Sequence, residues 1–174
     1  MQALAFWKAV AVDEANLLER FRALLEDNGI EYCVVGGQAV NAYAEPLVSL
    51  DLDVAVGDAD RERFLDLAEA AGLRAEHFPH SVNLSHADSD LRIQIQTDPR
   101  YGDFPRRAQR RSVLGLDLLV AGLEDVVRGK VWAAQDPSRR ASKHLKDLAD
   151  LARLAEAHPG VRELIPVELL ERLQ

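Results

Sequence analysis

The sequence of 174 residues has a single cysteine, Cys33, which excludes an internal disulfide and a zinc site built from several cysteines. No apolar run approaches the roughly 18 residues that a membrane-spanning helix needs. The first twelve residues lack the positive start and small-residue cleavage pattern of a signal peptide. There is also no Gly-x-Ser-x-Gly elbow and no His-Glu-x-x-His motif, so the common hydrolase templates find no support. We therefore expect a cytoplasmic protein with no membrane partner.

The composition is that of an ordinary globular protein, with 48% hydrophobic and 29% charged residues. The formal net charge is −8, yet two stretches are basic. Residues 99–111 hold five arginines against one aspartate, and residues 128–146 hold six basic residues against one aspartate. Either a polyanion that meets this part of the surface or a solvated basic face would account for the asymmetry.

Hydrophobic periodicity predicts an α+β chain with its helices gathered towards the end. We expect one domain over 1–174, with a core over about 13–120 and C-terminal helices over about 122–174. The predicted helices are 13–27, a short segment after Gly36-Gly37, 59–71, about 122–135, about 138–157 and a segment after Pro159-Gly160. The predicted strands are 31–36, 50–56, strands with turns over 73–98, of which "LRIQIQTD" is the clearest, and about 113–120, with a polar loop over 99–111.

Two aspartates occupy alternate positions of one predicted strand. Because strand side chains alternate, Asp51 and Asp53 share one face of the strand, and the apolar residues at the alternate positions share the other face. The two carboxylates are about 7 Å apart, roughly twice the ~3.3 Å rise per residue, and they repel each other unless a cation lies between them. Oxygen ligands favour Mg²⁺, with Mn²⁺ as an alternative. The other interpretation is an exposed strand edge where both acids face solvent.

Gly36 and Gly37 stand between a strand and a short helix, one helix before the aspartates. Glycines at such a junction allow close backbone approach and leave amide donors free at the helix start, as in a phosphate cradle. The segment is not a Walker loop, because no Gly-Lys-Ser/Thr follows, and it lacks the third glycine of the dinucleotide fingerprint.

The order of apolar strand, Gly-Gly and Asp-x-Asp resembles the nucleotidyltransferase superfamily, and in particular its AbiEii toxin-like branch. Two later segments match that branch, "LVAGLEDVVRGKVWAA" and "RRASKHLKDLADLARL", so the resemblance covers about residues 31–157. It implies a nucleotidyltransferase-like mixed β-sheet flanked by helices, with a C-terminal helical portion. It also implies Mg²⁺-dependent transfer of NMP from an NTP to an acceptor hydroxyl on RNA, a protein or a small molecule, and an antitoxin partner if the chain acts as a toxin.

The later segments supply further candidate residues. Lys130 falls in the middle of an apolar helical stripe, so it needs an anion, such as a nucleotide phosphate, unless it snorkels from a helix end. The next helix is predicted to pack through Leu145, Leu148, Ala149 and Ala152, and to present Lys143, Lys146, Asp147 and Asp150 on another face. These four would otherwise form ordinary surface ion pairs.

The resemblance gives the later candidates their roles. It implies that Lys130 neutralises developing charge and that Asp147 is a base for the acceptor hydroxyl. Lys130, Lys143 and Lys146 would bind the nucleotide, with Asp150 as a weaker candidate.

The sequence departs from the resembling pattern where a third carboxylate is expected. The strand "DLRIQIQTD" places Gln94 and Gln96 on the polar face, and Asp98 lies at its end. Since neutral amides bind Mg²⁺ poorly, the chain is predicted to be either a transferase with a weakened second metal site or a degenerate module that binds a nucleotide or a partner. The arginines of 100–111 would hold an RNA end or a phosphorylated acceptor, and a small or proteinaceous acceptor is equally admissible.

Overall fold

The structure is a computed structural model that describes residues 5, 6, 8, 9, 13 and 16–174. Within these residues the helices and strands alternate in the first half, and helices predominate after β7. Their bounds are α1 Leu17–Asp27, β1 Tyr32–Val35, α2 Gly36–Asn41, β2 Asp51–Val56, α3 Arg61–Ala70, β3 Arg74–Phe78, β4 Ser81–Ser85, β5 Arg92–Gln96, β6 Gln109–Val113, β7 Leu116–Val120, α4 Leu123–Gln135, α5 Ala141–Ala157 and α6 Val167–Arg172.

The strands form one sheet in the order β3-β4-β5-β2-β1-β7-β6. The β2–β5 and β1–β7 pairs are parallel and the other pairs are antiparallel, so the sheet is mixed. All four residues of β1 are buried, and β2 buries Leu52 and Val54 while its aspartates lie on the opposite face. The predicted α+β class, a mixed sheet flanked by helices with a helical C-terminal portion, is confirmed.

Within the described residues a hydrophobic core joins the sheet to the helices packed against it. Helix α1 buries Leu17, Leu18, Phe21 and Leu25, the spacing that one face of a helix gives. The rings of Phe21 and Phe64 meet edge to face at 5.7 Å, which ties α1 to α3. No helix of the described residues combines the length and apolarity needed to cross a membrane.

Three element boundaries differ from the sequence-based prediction. The helix predicted over 13–27 begins at Leu17 in the structure, after Asn16 in the left-handed region, and residues 14 and 15 lie outside the described part. The polar loop predicted over 99–111 contains two 3₁₀ turns, Pro99–Tyr101 and Phe104–Arg107, and ends as β6 begins.

The predicted single strand over 113–120 is a hairpin of β6 and β7. Its turn residues, Leu114 and Gly115, both have positive φ, 54° and 83°. A tight hairpin turn needs this backbone, but leucine in place of asparagine or aspartate hides the usual sequence signal. The correction matters for the site, because β7 leads directly into α4.

Candidate functional site

The residues assigned a role by the sequence lie around one cavity of about 680 Å³ at the polar face of β2. Its lining includes Gly36, Gly37, Asp51, Asp53, Gln94, Gln96, Asp98, Lys130, Lys143, Lys146 and Asp147. Asp150, the weaker candidate, is not part of the lining and is bonded to Lys130 behind it. Elements far apart in the chain therefore converge on the Asp-x-Asp strand.

Asp51 and Asp53 are on an interior strand of the sheet, with β5 on one side and β1 on the other. Asp51 is in register with Arg92, and Asp53 is in register with Gln94 on β5 and Val35 on β1. Since β2 has no free edge and both acids line the cavity, the alternative of an exposed strand edge does not describe them.

The two aspartates have different surroundings. Asp51 is contacted by two cations, with Arg92 Nη2 at 2.8 Å from Oδ1 and Lys143 Nζ at 3.7 Å from Oδ2. Within the described residues Asp53 has no ion pair, and desolvation by the surrounding protein raises its pKa above the ordinary value. The charge of Lys130 opposes this rise, and the neighbouring Asp51 adds to it. A cation between the carboxylates would favour the ionised form of both.

Gly36 brings the β1–α2 junction into contact with this pair. Its φ of +64° lies in the left-handed region, and a Cβ on Gly36 would be 2.2 Å from Oδ2 of Asp53. At Gly37, a Cβ would lie 3.4 Å from Nζ of Lys146. Glycine is therefore required at position 36 both by the left-handed backbone and by the close approach of Asp53. The side chain of Lys146 lies over Gly37.

Lys130 is buried, with 6% of its surface exposed. Its Nζ lies 3.0 Å from Oδ1 of Asp147 and 2.7 Å from Oδ2 of Asp150, so it joins α4 to α5. The prediction that it requires an anion is met by these two carboxylates, and a snorkelling lysine is excluded by its burial. The alternative of surface pairs within α5 is wrong too, because Asp147 and Asp150 are both buried.

The network continues from each acid to an arginine. Arg139 donates from Nε to Oδ2 of Asp147 at 2.6 Å, and Arg153 donates to Oδ1 of Asp150 at 2.8 Å. Arg153 also donates to Oδ1 of Asn41 at 2.8 Å, which anchors the end of α2. The buried polar bridge thus runs from the cavity wall to the loop that leads into β2.

Burial alone would raise the pKa of Asp147, but the hydrogen bonds from Arg139 and the charge of Lys130 outweigh it and hold the pKa below 3.8. Burial likewise acts to lower the pKa of Lys130, and the charges of Asp150 and Asp147 raise it above 10.5. A carboxylate whose two oxygens both accept hydrogen bonds is a weak base. The geometry suits Asp147 to holding Lys130 better than to accepting a proton.

The packed face predicted for α5 is wrong in part. Leu145 is 65% exposed and Ala149 is exposed, whereas Leu148 is buried as predicted. The helix instead buries Asp147, Leu148, Asp150, Leu151, Leu154 and Ala155. A prediction from helical periodicity places aspartates on the exposed face of a helix, because charged residues are rarely buried alone. The pattern of one helix carries no information that Lys130 of another helix pairs with these acids.

An aromatic wall, formed by Tyr101, Phe104 and Trp132, also lines the cavity and was missed by the sequence reasoning. Tyr101 meets Trp132 edge to face at 5.5 Å, and Phe104 stacks on it at 5.7 Å. Arg107 forms two hydrogen bonds to the buried Asp125 of α4, at 2.8 and 3.1 Å, and these hold the segment in place. The two aromatic residues that precede Pro105 in the sequence, Tyr101 and Phe104, were the available signal.

Tyr101 also faces the carboxylates. Burial raises the pKa of its phenol to about 12, and the charge of Asp53 contributes to the rise. On α4, a Cβ at Gly129 would be 3.3 Å from the Tyr101 ring, so the small residue admits the ring to the wall. The phenol therefore stays protonated at neutral pH and can donate a hydrogen bond into the cavity.

The arginines of 100–111 are bonded within the protein. Each of the first four pairs with a carboxylate: Arg100 with Asp98, Arg106 with Asp103, Arg107 with Asp125 and Arg110 with Glu26. The guanidinium of Arg111 lies 4.1 Å from the centroid of the Tyr43 ring. A polyanion that binds this stretch would therefore have to displace carboxylates from four of its five arginines.

The third-carboxylate position is filled by a neutral amide. Gln94 is the in-register neighbour of Asp53, and Gln96 is the neighbour of Ala55. Asp98 accepts hydrogen bonds from Nε, Nη2 and the backbone N–H of Arg100, and the bonds from Arg100 outweigh burial and lower its pKa. In the described part of the chain, no group of three or more His, Cys, Asp or Glu residues could hold a metal ion. The donor set fits one Mg²⁺ completed by water and phosphate oxygens.

No protein-family model matches the chain, and the search of curated proteins found no match. Solved structures do match. The antibiotic-resistance factor ANT(2'')-Ia aligns with a TM-score of 0.57 at 13% identity, over 90% of this chain and 94% of that one. The lincosamide antibiotic adenylyltransferase LnuA aligns with a TM-score of 0.54 at 15% identity, over 83% and 99%.

A third match is an antigenic nucleotidyltransferase-like protein from Paracoccidioides brasiliensis, with a TM-score of 0.50 at 16% identity, over 86% of this chain and 75% of that one. Likeness at such low identity establishes the arrangement of helices and strands and nothing about substrates. The chain therefore has the fold of the nucleotidyltransferases.

Proposed function

We propose that the protein is a nucleotidyltransferase that moves NMP from an NTP to an acceptor hydroxyl with the help of one divalent cation. The observation that carries this proposal is the meeting of Gly36, Asp53 and Lys146 in one cavity. The carboxylate of Asp53 fills the space that a Cβ of Gly36 would take. The fold of the solved neighbours agrees with it.

The triphosphate is assigned to the side of the cavity formed by α2 and α5. Lys143 and Lys146 project there, and Lys146 forms no ion pair with any residue that the structure describes. Backbone amides at the start of α2 are open to approach because Gly36 and Gly37 carry no side chain. Lys130 adds fixed positive charge beside Asp53, which stabilises the charge that develops as pyrophosphate leaves.

Mg²⁺, or Mn²⁺ in its place, would be held by Asp51 and Asp53 and would polarise the phosphoryl oxygens when bound. Asp51 can bind the cation through Oδ2, from which Lys143 is 3.7 Å away, while Arg92 stays on Oδ1. Asp147 is assigned to positioning, because its carboxylate fixes Lys130 and Arg139.

The acceptor is assigned to the aromatic wall, and we propose that it is a small molecule. The wall offers ring surfaces and the Tyr101 phenol, while the arginines that would hold an RNA end are already paired. Two neighbours bear on this class: one ANT(2'')-Ia structure contains adenylyl-2''-tobramycin, and the LnuA structure contains lincomycin. The AbiEii-like toxin role and an antitoxin partner stay proposals that a neighbouring gene product would have to support.

The proposal is tested by label transfer from α-³²P-labelled NTPs, with Mg²⁺, into a fractionated small-molecule extract. We expect one or more fractions to acquire label with release of pyrophosphate. Asp51→Asn and Asp53→Asn are each expected to reduce transfer at least about 100-fold, because each removes a carboxylate that would hold the cation on the reacting phosphate. Asp103→Asn, a change of the same kind at a side chain 70% exposed, is the matched control.

A second candidate function is favoured by Gln94, which stands in register with Asp53 where a third acid is expected. On this reading the domain binds a nucleotide or a partner without turnover. Calorimetry with each NTP, with and without Mg²⁺, separates the two. Binding without label transfer to any fraction supports the binding module, and the absence of any nucleotide binding contradicts both functions.

A further inference from the structure

The acids that line the cavity divide into two groups. Four are bonded to neighbouring groups of the protein: Asp98 to Arg100, Asp125 to Arg107 and Arg128, Asp136 to Ser138, and Asp147 to Lys130 and Arg139. Asp51 and Asp53 are the other two, and they share one face of β2. A cation between them breaks no buried or bidentate pair, whereas a cation at Asp98, Asp125 or Asp147 would break one.

A second cation in this site would need a further carboxylate beside Asp53. The sheet register puts Gln94 at that place on β5 and Asn83 beyond it on β4. Both are neutral amides, which are poor ligands for Mg²⁺ compared with carboxylates. A cation bound there would lack the negative charge that offsets its dehydration.

The place beside Asp51 already holds a positive group. Arg92 is the in-register neighbour of Asp51, and its Nη2 lies 2.8 Å from Oδ1. Arg92 and Gln94 are two residues apart on β5, so both side chains share the face of the sheet that carries the aspartates. A second divalent ion at this point would meet the guanidinium charge directly.

We propose that the site binds one divalent cation per chain, between Asp51 and Asp53, and that Arg92 supplies beside Asp51 the positive charge that a second ion supplies in a two-metal clamp. This inference rests on the proposed function. Strand β5 thereby sets the number of bound ions. Gln94 provides no carboxylate ligand for a second ion, and Arg92 lies where the positive charge of that ion would be.

The number of bound ions is measured by electron paramagnetic resonance of Mn²⁺ titrated into the protein with an α,β-methylene NTP, which is not turned over. We expect one tightly bound Mn²⁺ per chain for the natural sequence and two for the double variant Arg92→Gln/Gln94→Glu. Gln96→Glu is the matched control. It adds the same carboxylate on the same face of β5, but in register with Ala55, so it should keep one ion.

Two ions on the natural chain would overturn the inference and leave the transferase function standing. One ion on the double variant that still binds the analogue would overturn it as well. A chain that retains neither Mn²⁺ nor the analogue would instead contradict nucleotide binding, and the proposed function would fall with the inference. Arg92→Lys keeps the charge, and it should keep one ion.

Discussion

At the scale of single residues, Gly36 has the most demanding position in the site. Two separate constraints act on it, the left-handed φ of +64° and the carboxylate of Asp53 in the space of a Cβ. Gly29 has nearly the same φ, +62°, with nothing within 4 Å of its Cβ position. The pair of glycines allows the backbone cost to be separated from the cost of displacing the aspartate.

We predict that Gly29→Ala loses about 1–2 kcal/mol of unfolding free energy, because a Cβ disfavours the left-handed backbone. Gly36→Ala should lose more, because its Cβ would also displace the carboxylate of Asp53. Gly36→Ala should also weaken Mg²⁺-dependent nucleotide binding at least tenfold, since Asp53 must move. Urea unfolding and calorimetry measure the two quantities. Equal nucleotide affinity in both variants would show that Asp53 does not require the close approach of Gly36.

Single residues also show what the sequence alone could predict. Asp51, Asp53 and Gly36 were identified because their signal is local, a strand alternation and a glycine at a strand–helix junction. The partners of Lys130 were not identified, because Asp147 and Asp150 are on a different helix and their burial depends on how α4 and α5 pack. The ion pair between Asp98 and Arg100 was not predicted from the sequence either.

At the scale of elements, the contact between α4 and α5 is held by Lys130 and the two buried acids. We predict that Lys130→Met lowers the unfolding free energy by about 3–5 kcal/mol, because it leaves Asp147 and Asp150 buried without their lysine. Arg106→Gln is the matched control. It breaks an ion pair whose side chains are 71% and 70% exposed, and should cost less than about 1 kcal/mol.

The difference in unfolding free energy between the natural chain and Lys130→Met should become smaller as the pH falls. Asp147 has its pKa lowered below 3.8, so its stabilising charge is present above that value and is lost as the pH falls through the folded pKa. We expect the difference to be largest near neutral pH and to shrink as the pH falls, because the buried carboxylates of the variant take up protons once they lack their lysine. Urea unfolding across this range measures it, and a difference that grows in acid would contradict the network.

The elements predicted best were those with a strong internal period. Helix α1 and strand β2 follow from their own residues, apart from the start of α1. The β6–β7 hairpin was read as a loop and one strand, since β6 is polar and its turn lacks the usual residues. The aromatic wall was missed for the same reason, as short 3₁₀ turns have no period to detect.

At the scale of the whole molecule, the net charge is −8, and four of the five arginines of residues 99–111 are paired with carboxylates. We predict that a single-stranded RNA of about 20 nucleotides binds more weakly than about 100 μM at about 150 mM salt, because the arginines are paired. Fluorescence anisotropy over a salt series tests this. Glu26→Gln/Asp103→Asn releases Arg110 and Arg106, and it should tighten binding and steepen the salt dependence.

Micromolar RNA binding by the natural chain, with a steep salt dependence, would contradict this and restore RNA as an acceptor. The same result would remove the argument for a small acceptor, because it would show that the arginine pairs open readily.

The wall segment has a consequence for how the protein can change. Residues 99–107 are one continuous stretch, fastened to α4 by Arg107 and Asp125, whereas the two aspartates lie on β2 and Lys143 and Lys146 lie on α5. Substitutions at Tyr101 and Phe104 can therefore change the part of the aromatic wall that this stretch supplies while β2 and α5 keep their residues. Under the proposed function, such a division would let variants accept new targets while the residues assigned to the phosphates stay in place.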